Sequence, residues 1–289
     1  MNECPKLDPR RHAFRADLAA AELEGQVVAP RYVPGVVKQV VSDRTAIRRE
    51  PRGDAALDTE ALRGECVAVY DERDGWAWVQ LKIDGYVGYT LLANLSSEIY
   101  SPTHRVTSVL AAIYREPSAL SLPTGYAPFA SFVSVVDIEA GFAKLATGGY
   151  VGLQLLSNLD LLHEDYVATA MRFMNLPYVF GGKTAFGIDC SGLVQNALQV
   201  AGQTAPRDSD MQVSEIGRRV DVGPDLAGLR RGDIVFWPGH TGIMVDEEVL
   251  VHATAAHMSV TLEQVNSVAK RARKDGPIVS DVRRPIPSD

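Results

Sequence analysis

The sequence is poor in the features that mark several common classes of protein. Its 289 residues include three cysteines, Cys4, Cys66 and Cys190, which are too few and too scattered for a disulfide framework or a structural zinc site. No apolar run approaches the roughly eighteen residues that a membrane span needs. The formal charge of −7 argues against a nucleic-acid or anionic-membrane partner, because both require a basic face.

Other absences narrow the function further. Charged residues interrupt the first 25 residues, so no signal-peptide core is visible and a cytoplasmic location is expected, with an exported form open if a leader has been removed. No cluster of metal ligands has suitable spacing, so we expect no metal and no cofactor. The short basic run from Lys270 to Lys274 is interpreted as a solvated loop. The sequence does not indicate an oligomeric state.

What the sequence does contain is a weak internal duplication. Ala46–Pro51 recurs as Ala112–Pro117 at an offset of 66 residues, and Gly75-Trp76 corresponds to Gly141-Phe142 at the same offset. A closing element that contains Gly-Tyr-Val-Gly, Asp84–Leu95, recurs at an offset of 64, which fits a hairpin shortened by two residues. Short apolar runs separated by glycine, proline and aspartate are typical of small all-β barrels, and the order of landmarks resembles bacterial SH3 domains.

The duplication suggests a division of the chain into four parts. Ala16–Leu23 is predicted as a short amphipathic helix within the first part. Neither repeat holds a cluster of nucleophile, base or metal ligands, so binding or positioning is their simplest role. The predicted parts are an N-terminal extension (1–36), SH3-like domain 1 (37–100), SH3-like domain 2 (101–160) and a catalytic domain (161–289).

After Leu159, the spacing of apolar residues changes from the alternation of strands to a helical period. Apolar spacing between Asp160 and Asn175 predicts a helix, and a second helix is predicted to begin at Cys190 and to end at Gly202. Asp189 is a suitable N-cap residue. A cysteine at a helix start is close to free N–H groups and a partial positive charge, which favour the reactive thiolate and lower the thiol pKa. On this segment alone, a reactive cysteine and an ordinary helix start are equally good interpretations.

Two downstream histidines favour the reactive interpretation. Short apolar runs around Val235, Ile243 and Val251 predict an antiparallel meander, with His240 at the start of its second strand and His252 within its third. The two histidines would then be cross-strand neighbours. A cysteine on a helix that faces a histidine on a sheet, with a third polar group orienting that histidine, is the cysteine form of a catalytic triad.

Here the sequence closely resembles the NlpC/P60 family of cell-wall cysteine peptidases. The resemblance implies an α+β, papain-like core after two small all-β SH3-like barrels. It also implies that Cys190 is the nucleophile, His240 the general base and acid, and His252 the orienting residue. Tyr178, Asp189 and Ser191 would lie at the substrate, and His163 and His257 match no catalytic position. The matching segments are Pro177-Tyr-Val-Phe-Gly-Gly182, Asp189-Cys-Ser-Gly192, Arg231-Gly-Asp-Ile-Val-Phe236, His240-Thr-Gly-Ile243 and Val251-His-Ala253.

Together with tandem SH3-like domains, the sequence is similar to γ-D-glutamyl-L-diamino-acid endopeptidases of that family. The resemblance implies that peptidoglycan-derived stem peptides are the substrate partners and that a free N-terminal L-alanine is recognised. Asp208 and Ser209 match the segment that contacts this alanine, where a carboxylate would pair with the ammonium. Tyr86 is the candidate from the SH3 domain, with Tyr70 and Tyr89 as rivals.

Two alternatives remain at this stage. The SH3-like domains could anchor an autolysin on intact cell wall, or the chain could be a non-catalytic wall-binding protein whose peptidase core has decayed. The intact trio of Cys190, His240 and His252 argues against the second alternative. The diamino acid that is accepted and the role of residues 1–36 stay open.

Overall fold

A computed structural model describes residues 7–223, 225–272 and 279–286, and Cys4 lies outside these ranges. The chain divides into two compact units, Met1–Leu159 and Asp160–Asp289, so the boundary falls one residue before the predicted one. Within the described ranges, no helix has both the length and the apolar character for crossing a membrane.

The N-terminal extension is part of the first unit and is not helical where a helix was predicted. Ala16–Leu23 instead contains a short strand and a 3-10 turn, because its small apolar side chains pack into the barrel surface beside Ala68, Tyr70 and Trp78. The backbone N–H of Val87 also donates to the carbonyl of Arg10 at 2.8 Å. Tertiary packing therefore overrides helical spacing here. The strands are β1 (Phe14–Arg15), β2 (Leu18–Ala20) and β3 (Tyr32–Val33).

The first barrel is a seven-stranded sheet with the order β10-β4-β7-β8-β9-β5-β6. Alternate residues point inward, as the period of a strand dictates, and its core includes Val40, Ile47, Val69, Val79 and Tyr86. The strands are β4 (Val36–Val40), β5 (Arg44–Arg48), β6 (Leu57–Leu62), β7 (Cys66–Arg73), β8 (Trp76–Leu81), β9 (Val87–Leu91) and β10 (Leu95–Ser96).

The second barrel has the same order of strands, divided between the sheets β14-β11-β18 and β13-β12-β17-β16-β15. Its core includes Val106, Ile113, Val133, Leu145 and Val151. The strands are β11 (His104–Val106), β12 (Leu110–Tyr114), β13 (Pro123–Pro128), β14 (Phe132–Val133), β15 (Val135–Glu139), β16 (Phe142–Leu145), β17 (Tyr150–Gly152) and β18 (Leu156–Asn158).

The structure shows the duplication but corrects its last offset. Arg48 pairs with Tyr89 in the first barrel, and Tyr114 pairs with Tyr150 in the second, so the closing strands correspond at an offset of 61 rather than 64. The second hairpin is thus five residues shorter, because β16 has four residues where β8 has six, β17 has three where β9 has five, and the turn loses one more. The matching Gly-Tyr-Val-Gly letters do not occupy equivalent positions.

Two glycines that correspond at the offset of 61, Gly88 and Gly149, support the corrected alignment on physical grounds. A Cβ on Gly88 would lie 2.5 Å from the side chain of Ile47, and one on Gly149 would lie 2.6 Å from the side chain of Ile113. Both isoleucines are core residues of their barrels, 66 positions apart in the chain. Each closing strand therefore passes so close to the core that no side chain fits at this point.

The second unit packs helices against a six-stranded sheet with the order β21-β26-β22-β23-β24-β25. Strands β22, β23 and β24 form the predicted antiparallel meander, β25 extends it by one strand, and α2 packs on β23 and β24. The first helix is shorter than predicted, because Asp165 caps it. The elements are α1 (Tyr166–Met171), β19 (Lys183–Thr184), β20 (Gly187–Ile188), α2 (Cys190–Val200), α3 (Ser209–Glu215), β21 (Arg218–Arg219), β22 (Ile234–Trp237), β23 (His240–Met244), β24 (Val249–Thr254), β25 (Ser259–Gln264), α4 (Val265–Ala272) and β26 (Asp281–Arg284).

The predicted fold class is confirmed. The chain is α+β, with two small all-β barrels that precede a unit in which a helix carrying a cysteine packs on an antiparallel sheet. What matters for function is that α2 and the meander bring the candidate cysteine and histidines into one unit.

Candidate active site

Cys190 is the first residue of α2, as the sequence predicts. Asp189 has an extended backbone, and its carboxylate accepts a hydrogen bond from the N–H of Gly192 at 2.8 Å, which is standard N-capping. The helix ends at Val200 and is followed by Gly202 with φ of 78°, a conformation that suits glycine at a helix C-terminus.

Arg207 holds the start of α2 in place and was missed as a functional residue. Its guanidinium makes a two-pronged ion pair with the Asp189 carboxylate at 2.9 and 2.7 Å, and it also donates to the Ser191 hydroxyl at 2.8 Å. A third donor contact reaches the Gly182 carbonyl at 3.3 Å. All of these side chains are buried, so the helix start is fixed by a fully enclosed charge pair.

The turn before α2 completes this arrangement. The N–H of Gly181 donates to Asp189 at 2.7 Å, and a Cβ on Gly192 would lie only 2.6 Å from the Gly182 carbonyl oxygen. The helix therefore meets the turn with no room for a side chain at its third position. This close approach explains why the sequence has Gly-Gly before the helix and Cys-Ser-Gly at its start.

The thiol of Cys190 is buried, and its pKa moves opposite to the prediction. Burial, and then the nearby carboxylate of Asp189, raises the pKa of the Cys190 thiol to about 12, although backbone N–H groups of Thr241 and Ser191 bond the sulfur and favour the thiolate. The helix start alone does not outweigh desolvation. The resting cysteine is therefore a neutral thiol that needs a base.

His240 and His252 lie next to each other on the meander. The Nε2 atom of His240 is 2.8 Å from the Nδ1 atom of His252, and the ring centroids are 5.0 Å apart. The register of β23 and β24 makes the two residues diagonal neighbours, and His252 faces Gly242, where a Cβ would crowd it at 3.1 Å. Thr241, which bonds the Cys190 sulfur, directly follows His240 in β23.

Both imidazoles are held in their neutral forms. Burial lowers the pKa of His240 and of His252 to about 4, and the positive charge of Arg271 contributes in the same direction at both rings. A neutral His240 whose Nε2 is engaged by His252 retains Nδ1 for exchange with the thiol. The unit thus holds a neutral thiol and a neutral imidazole, and the backbone N–H of Thr241, the residue after His240, lies at the sulfur.

A carboxylate behind His252 was missed by the sequence analysis. The Nε2 atom of His252 lies 3.2 Å from Glu263, whose two oxygens accept from Arg271 at 2.6 and 2.8 Å. Arg271 belongs to the run interpreted as a solvated loop, but Lys270–Ala272 is the last turn of α4, so that interpretation is wrong for the described part. Arg273 and Lys274 lie outside the described residues. The exposed His257 is 3.4 Å from the same carboxylate.

Tyr178 is half-buried beside the cysteine. Burial, followed by the proximity of Cys190 and Asp189, raises the pKa of Tyr178 to about 12, so its hydroxyl keeps its proton. The N–H of Tyr178 donates to the Met258 carbonyl at 2.9 Å, which ties this segment to the turn before β25. Tyr178 therefore lies near enough to Cys190 for an electrostatic interaction, and its contact with substrate stays a prediction.

Asp208 and Ser209 stand at the start of α3, half-buried. They follow Arg207 directly, and Gln212 on the same helix donates to the carbonyls of Ser191 and Pro206 at 2.9 Å each. Gln212 was also missed by the sequence analysis, since a glutamine in a polar segment carries no special pattern. These bonds connect the segment of Asp208 to the helix that carries Cys190.

The structure contradicts the choice of Tyr86 as a residue that a ligand can touch. Tyr86, just before β9 begins, belongs to the core of the first barrel and is 4% exposed, because its ring packs among the core side chains. Tyr70 is also buried, and its hydroxyl contacts Glu22 and Gln80 at 3.0 Å. Tyr89 is half-buried and accepts from Arg15 at 3.2 Å. Of the three, Tyr89 alone keeps an appreciably exposed side chain.

The site has the groups for acyl transfer through a thioester. Asp189 and Ser191 use their side-chain oxygens within the Arg207 network, and their contact with substrate stays a prediction. No group of three or more histidine, cysteine, aspartate or glutamate side chains within the described residues is arranged to hold a metal ion. A thiol, a neutral imidazole and a second imidazole behind it are the groups that nucleophilic catalysis by cysteine requires.

Comparison with known families agrees with this geometry. Residues 175–275 match the model of the NlpC/P60 family, and residues 47–95 match the model described as the bacterial dipeptidyl-peptidase SH3 domain. A crystal structure of an NlpC/P60 family protein from Bacillus cereus, 20% identical, covers 87% of this chain and 100% of its own with a TM-score of 0.72, which shows a shared fold.

Two curated relatives are similar over most of the chain. A γ-D-glutamyl-L-lysine dipeptidyl-peptidase from Bacillus cereus is 26% identical over 73% of this chain and 71% of its own length. Dipeptidyl-peptidase 6 from Lysinibacillus sphaericus is 25% identical over 82% of this chain and 94% of its own length. These similarities extend through both units rather than through the catalytic unit alone.

Proposed function

We propose that this cysteine peptidase, whose residues 175–275 match the NlpC/P60 family, cleaves the bond between γ-D-glutamate and the L-diamino acid of peptidoglycan stem peptides that carry a free N-terminal L-alanine. The names of the relatives support this choice, since a γ-D-glutamyl-L-lysine dipeptidyl-peptidase removes two residues from a free amino end. The observation that carries the proposal is the connection of Asp208 to the helix of Cys190 through Arg207 and Gln212.

In the proposed mechanism, Cys190 attacks the γ-carbonyl carbon of D-glutamate. His240 accepts the thiol proton as the sulfur–carbon bond forms, and His252 holds the ring of His240 from behind. Because thiol and imidazole are both neutral at rest, this proton transfer accompanies attack rather than preceding it. The backbone N–H groups at the start of α2 stabilise the oxyanion.

Collapse of the tetrahedral intermediate releases the diamino acid. Its amino group leaves with the proton held by His240, and the dipeptide remains bound to Cys190 as a thioester. A water molecule then gives a proton to His240 and attacks the thioester carbonyl, which releases L-alanyl-γ-D-glutamate and restores the thiol. The half-buried, protonated hydroxyl of Tyr178 donates a hydrogen bond to the reacting group.

Recognition of the free amino end is assigned to Asp208 and Ser209. A carboxylate pairs with an ammonium group, and an alanine that is still linked to glycan has no ammonium to offer. A substrate without that charge would still desolvate the Asp208 carboxylate and give it no ammonium in return, which makes the discrimination large. Released stem peptides are therefore the proposed substrates, and recycling in the cytoplasm is the proposed setting.

The test compares the tripeptide L-Ala-γ-D-Glu-L-Lys with its N-acetylated form and with intact sacculi, using mass spectrometry of the products. We expect the free tripeptide to be cut at the γ-glutamyl bond, with a kcat/KM at least a hundredfold above that of the acetylated peptide, and sacculi to remain intact. A counterpart tripeptide with meso-diaminopimelate identifies the preferred diamino acid.

The matched variants are Asp208→Asn and Asp210→Asn, which remove neighbouring carboxylates from the same helix. Asp208→Asn should reduce kcat/KM for the free tripeptide and abolish the preference over the acetylated peptide, whereas Asp210→Asn should preserve it. Equal cleavage of both peptides by the unmodified enzyme would refute ammonium recognition. Rapid release of peptides from sacculi would instead support an autolysin.

A further inference from the structure

We propose that Glu263, fixed by Arg271, is a positioning residue that sets which nitrogen of His252, and through it of His240, carries the proton. The inference rests on the proposed catalytic role of the two histidines. It concerns two residues, at the end of β25 and in the last turn of α4, that lie outside the sequence motifs of the site.

The side chains of His240, His252 and Glu263 share one face of the sheet. His252 pairs with Thr261 across β24 and β25, so Glu263, two residues further along β25, projects on the same side. His240 occupies that side of β23, diagonal to His252. The result is a chain of contacts from His240 to His252 at 2.8 Å, then to Glu263 at 3.2 Å, and then to Arg271 at 2.6 Å.

The end of this series of contacts at Arg271 has a fixed hydrogen-bonding role. Arg271 donates only, so its two bonds hold the Glu263 carboxylate as an acceptor. Arg271 lowers the pKa of Glu263 to about 2, so the carboxylate stays ionised in neutral and mildly acidic solution. Hydrogen on the Nε2 of His252, 3.2 Å from this carboxylate, is the favoured form, because a lone pair there would face the anion.

The proton pattern follows from that single constraint. A neutral imidazole with hydrogen on Nε2 has a lone pair on Nδ1, so Nδ1 of His252 accepts from Nε2 of His240. His240 then has its own lone pair on Nδ1, the nitrogen not engaged by His252. That is the form in which His240 can take a proton from a thiol. The reverse pattern would place hydrogen on Nδ1 of His240 and block the reaction.

The surrounding charges act on the same rings. Glu263 raises the pKa of both histidines, whereas Arg271 and burial lower them. Besides His252 and Arg271, the exposed His257 in the turn between β24 and β25 is a titratable group at Glu263 among the described residues, at 3.4 Å. Loss of Glu263 should therefore lower the pKa of His240 further, since an imidazolium would lose its nearest carboxylate.

The direct test reads the protons in the resting enzyme. Nitrogen-15 NMR of histidine-labelled protein distinguishes ring nitrogens with and without hydrogen, and each histidine is assigned by substitution. We expect Nε2 to be protonated and Nδ1 unprotonated in both His240 and His252 near neutral pH. Hydrogen on Nδ1 of His252 in the unmodified protein would overturn the proposal.

The variants Glu263→Gln and Glu263→Asp test the consequence for reactivity. Alkylation of Cys190 by iodoacetamide, followed by peptide mass spectrometry, needs no substrate and so succeeds or fails independently of the proposed peptide specificity. With Glu263→Gln, we expect alkylation near pH 7 and kcat to fall about ten- to a hundredfold, as for other residues that orient a histidine, with KM unchanged. Glu263→Asp should recover part of the rate.

Arg231→Gln is the control, since one guanidinium nitrogen of Arg231 contacts both oxygens of Asp165 at 2.7 Å in the same unit, away from the two histidines. It should leave alkylation and kcat unchanged. In Glu263→Gln, the acid limb of the alkylation rate should also move to lower pH, which a purely structural residue would not cause. An unchanged rate and acid limb in a folded Glu263→Gln variant would overturn the proposal, as would equal losses in the Arg231→Gln control.

Discussion

The two sides of the candidate active site are supported in different ways. On the thiol side, Asp189 and Arg207 form an ion pair whose side chains are 6% and 1% exposed beneath the start of α2. On the imidazole side, Glu263 and Arg271 form a pair whose side chains are 14% and 40% exposed behind His252. Each side therefore depends on one arginine and one carboxylate, but in different environments.

The difference in burial separates stability from reactivity. A buried ion pair is expensive to break, because removal of one partner leaves an uncompensated charge inside the protein. A partly exposed pair contributes little to stability, because water and salt screen its charges. We therefore expect loss of one partner of the Arg207–Asp189 pair to destabilise the unit strongly, and loss of one partner of the Arg271–Glu263 pair to change the chemistry while the fold persists.

The largest effect should follow removal of the reacting groups themselves. Cys190→Ser and His240→Ala are each expected to reduce kcat/KM by about a thousandfold or more, because nucleophile and base act as one unit. Both variants should unfold in urea close to the unmodified protein, since neither alters the Arg207 network. Measurable turnover by either variant would show that another group performs the chemistry.

On the thiol side, Arg207→Met should destabilise the catalytic unit by about 3–5 kcal/mol, the usual result of leaving a buried charge unpaired. Urea denaturation measures this change in the free energy of unfolding. The double variant Arg207→Met/Asp189→Asn should recover part of the loss, because asparagine is neutral and still caps a helix. A double variant no more stable than the single one would contradict the unpaired-charge explanation.

For contrast, Arg271→Met on the imidazole side should change the free energy of unfolding by no more than about 1 kcal/mol, because the pair is partly exposed. The same urea experiment serves as the comparison. A loss as large as that of Arg207→Met would remove the distinction between the two sides.

An intermediate effect on rate is expected for His252→Gln. The amide oxygen can still accept from Nε2 of His240, so the ring keeps an orienting partner but loses its connection to Glu263. We expect kcat to fall about ten- to a hundredfold, as for other residues that orient a histidine. A loss equal to that of His240→Ala would mean that His252 does more than orient.

The sequence predicted the reacting groups better than their supports. Cys190, His240 and His252 stand at the starts and centres of elements that local patterns define, so their encounter follows from topology. Arg207 and Gln212 lie in a segment that is simply polar, and nothing local distinguishes a buried arginine from an exposed one. Glu263 and Arg271 are eight positions apart in the chain, and their contact depends on where β25 ends and α4 begins.

Similar limits apply to the register of the barrels and to the pKa of Cys190. Identical Gly-Tyr-Val-Gly letters suggested an offset of 64 between the barrels, but strand register, which depends on partners elsewhere in the barrel, gives 61. The predicted lowering of the Cys190 pKa weighed the helix start and omitted burial, which is a property of the whole fold. In each case the local signal was real, and a longer-range packing effect outweighed it.

The smallest expected effect is a shift of the acid limb of the pH–rate profile to lower pH. This profile compares the two sides, because it reports the pKa of His240 on one side and of Cys190 on the other. Burial lowers the pKa of His240 to about 4, so the base stays unprotonated as the pH falls and is lost only when it approaches that value. An ordinary histidine, with a pKa of about 6.5, would lose about tenfold in rate by pH 5.5.

We therefore expect kcat for a cleaved stem peptide to remain nearly constant from pH 7 down to about 5.5, measured against a buffer series at fixed ionic strength. On the thiol side, burial keeps Cys190 protonated throughout, so a free thiol should contribute no limb in this range. An alkaline loss in kcat/KM near pH 8 would then belong to the ammonium of the substrate, whose pKa is about 8. An acid limb near 6.5 would show instead that His240 is solvated in the working enzyme.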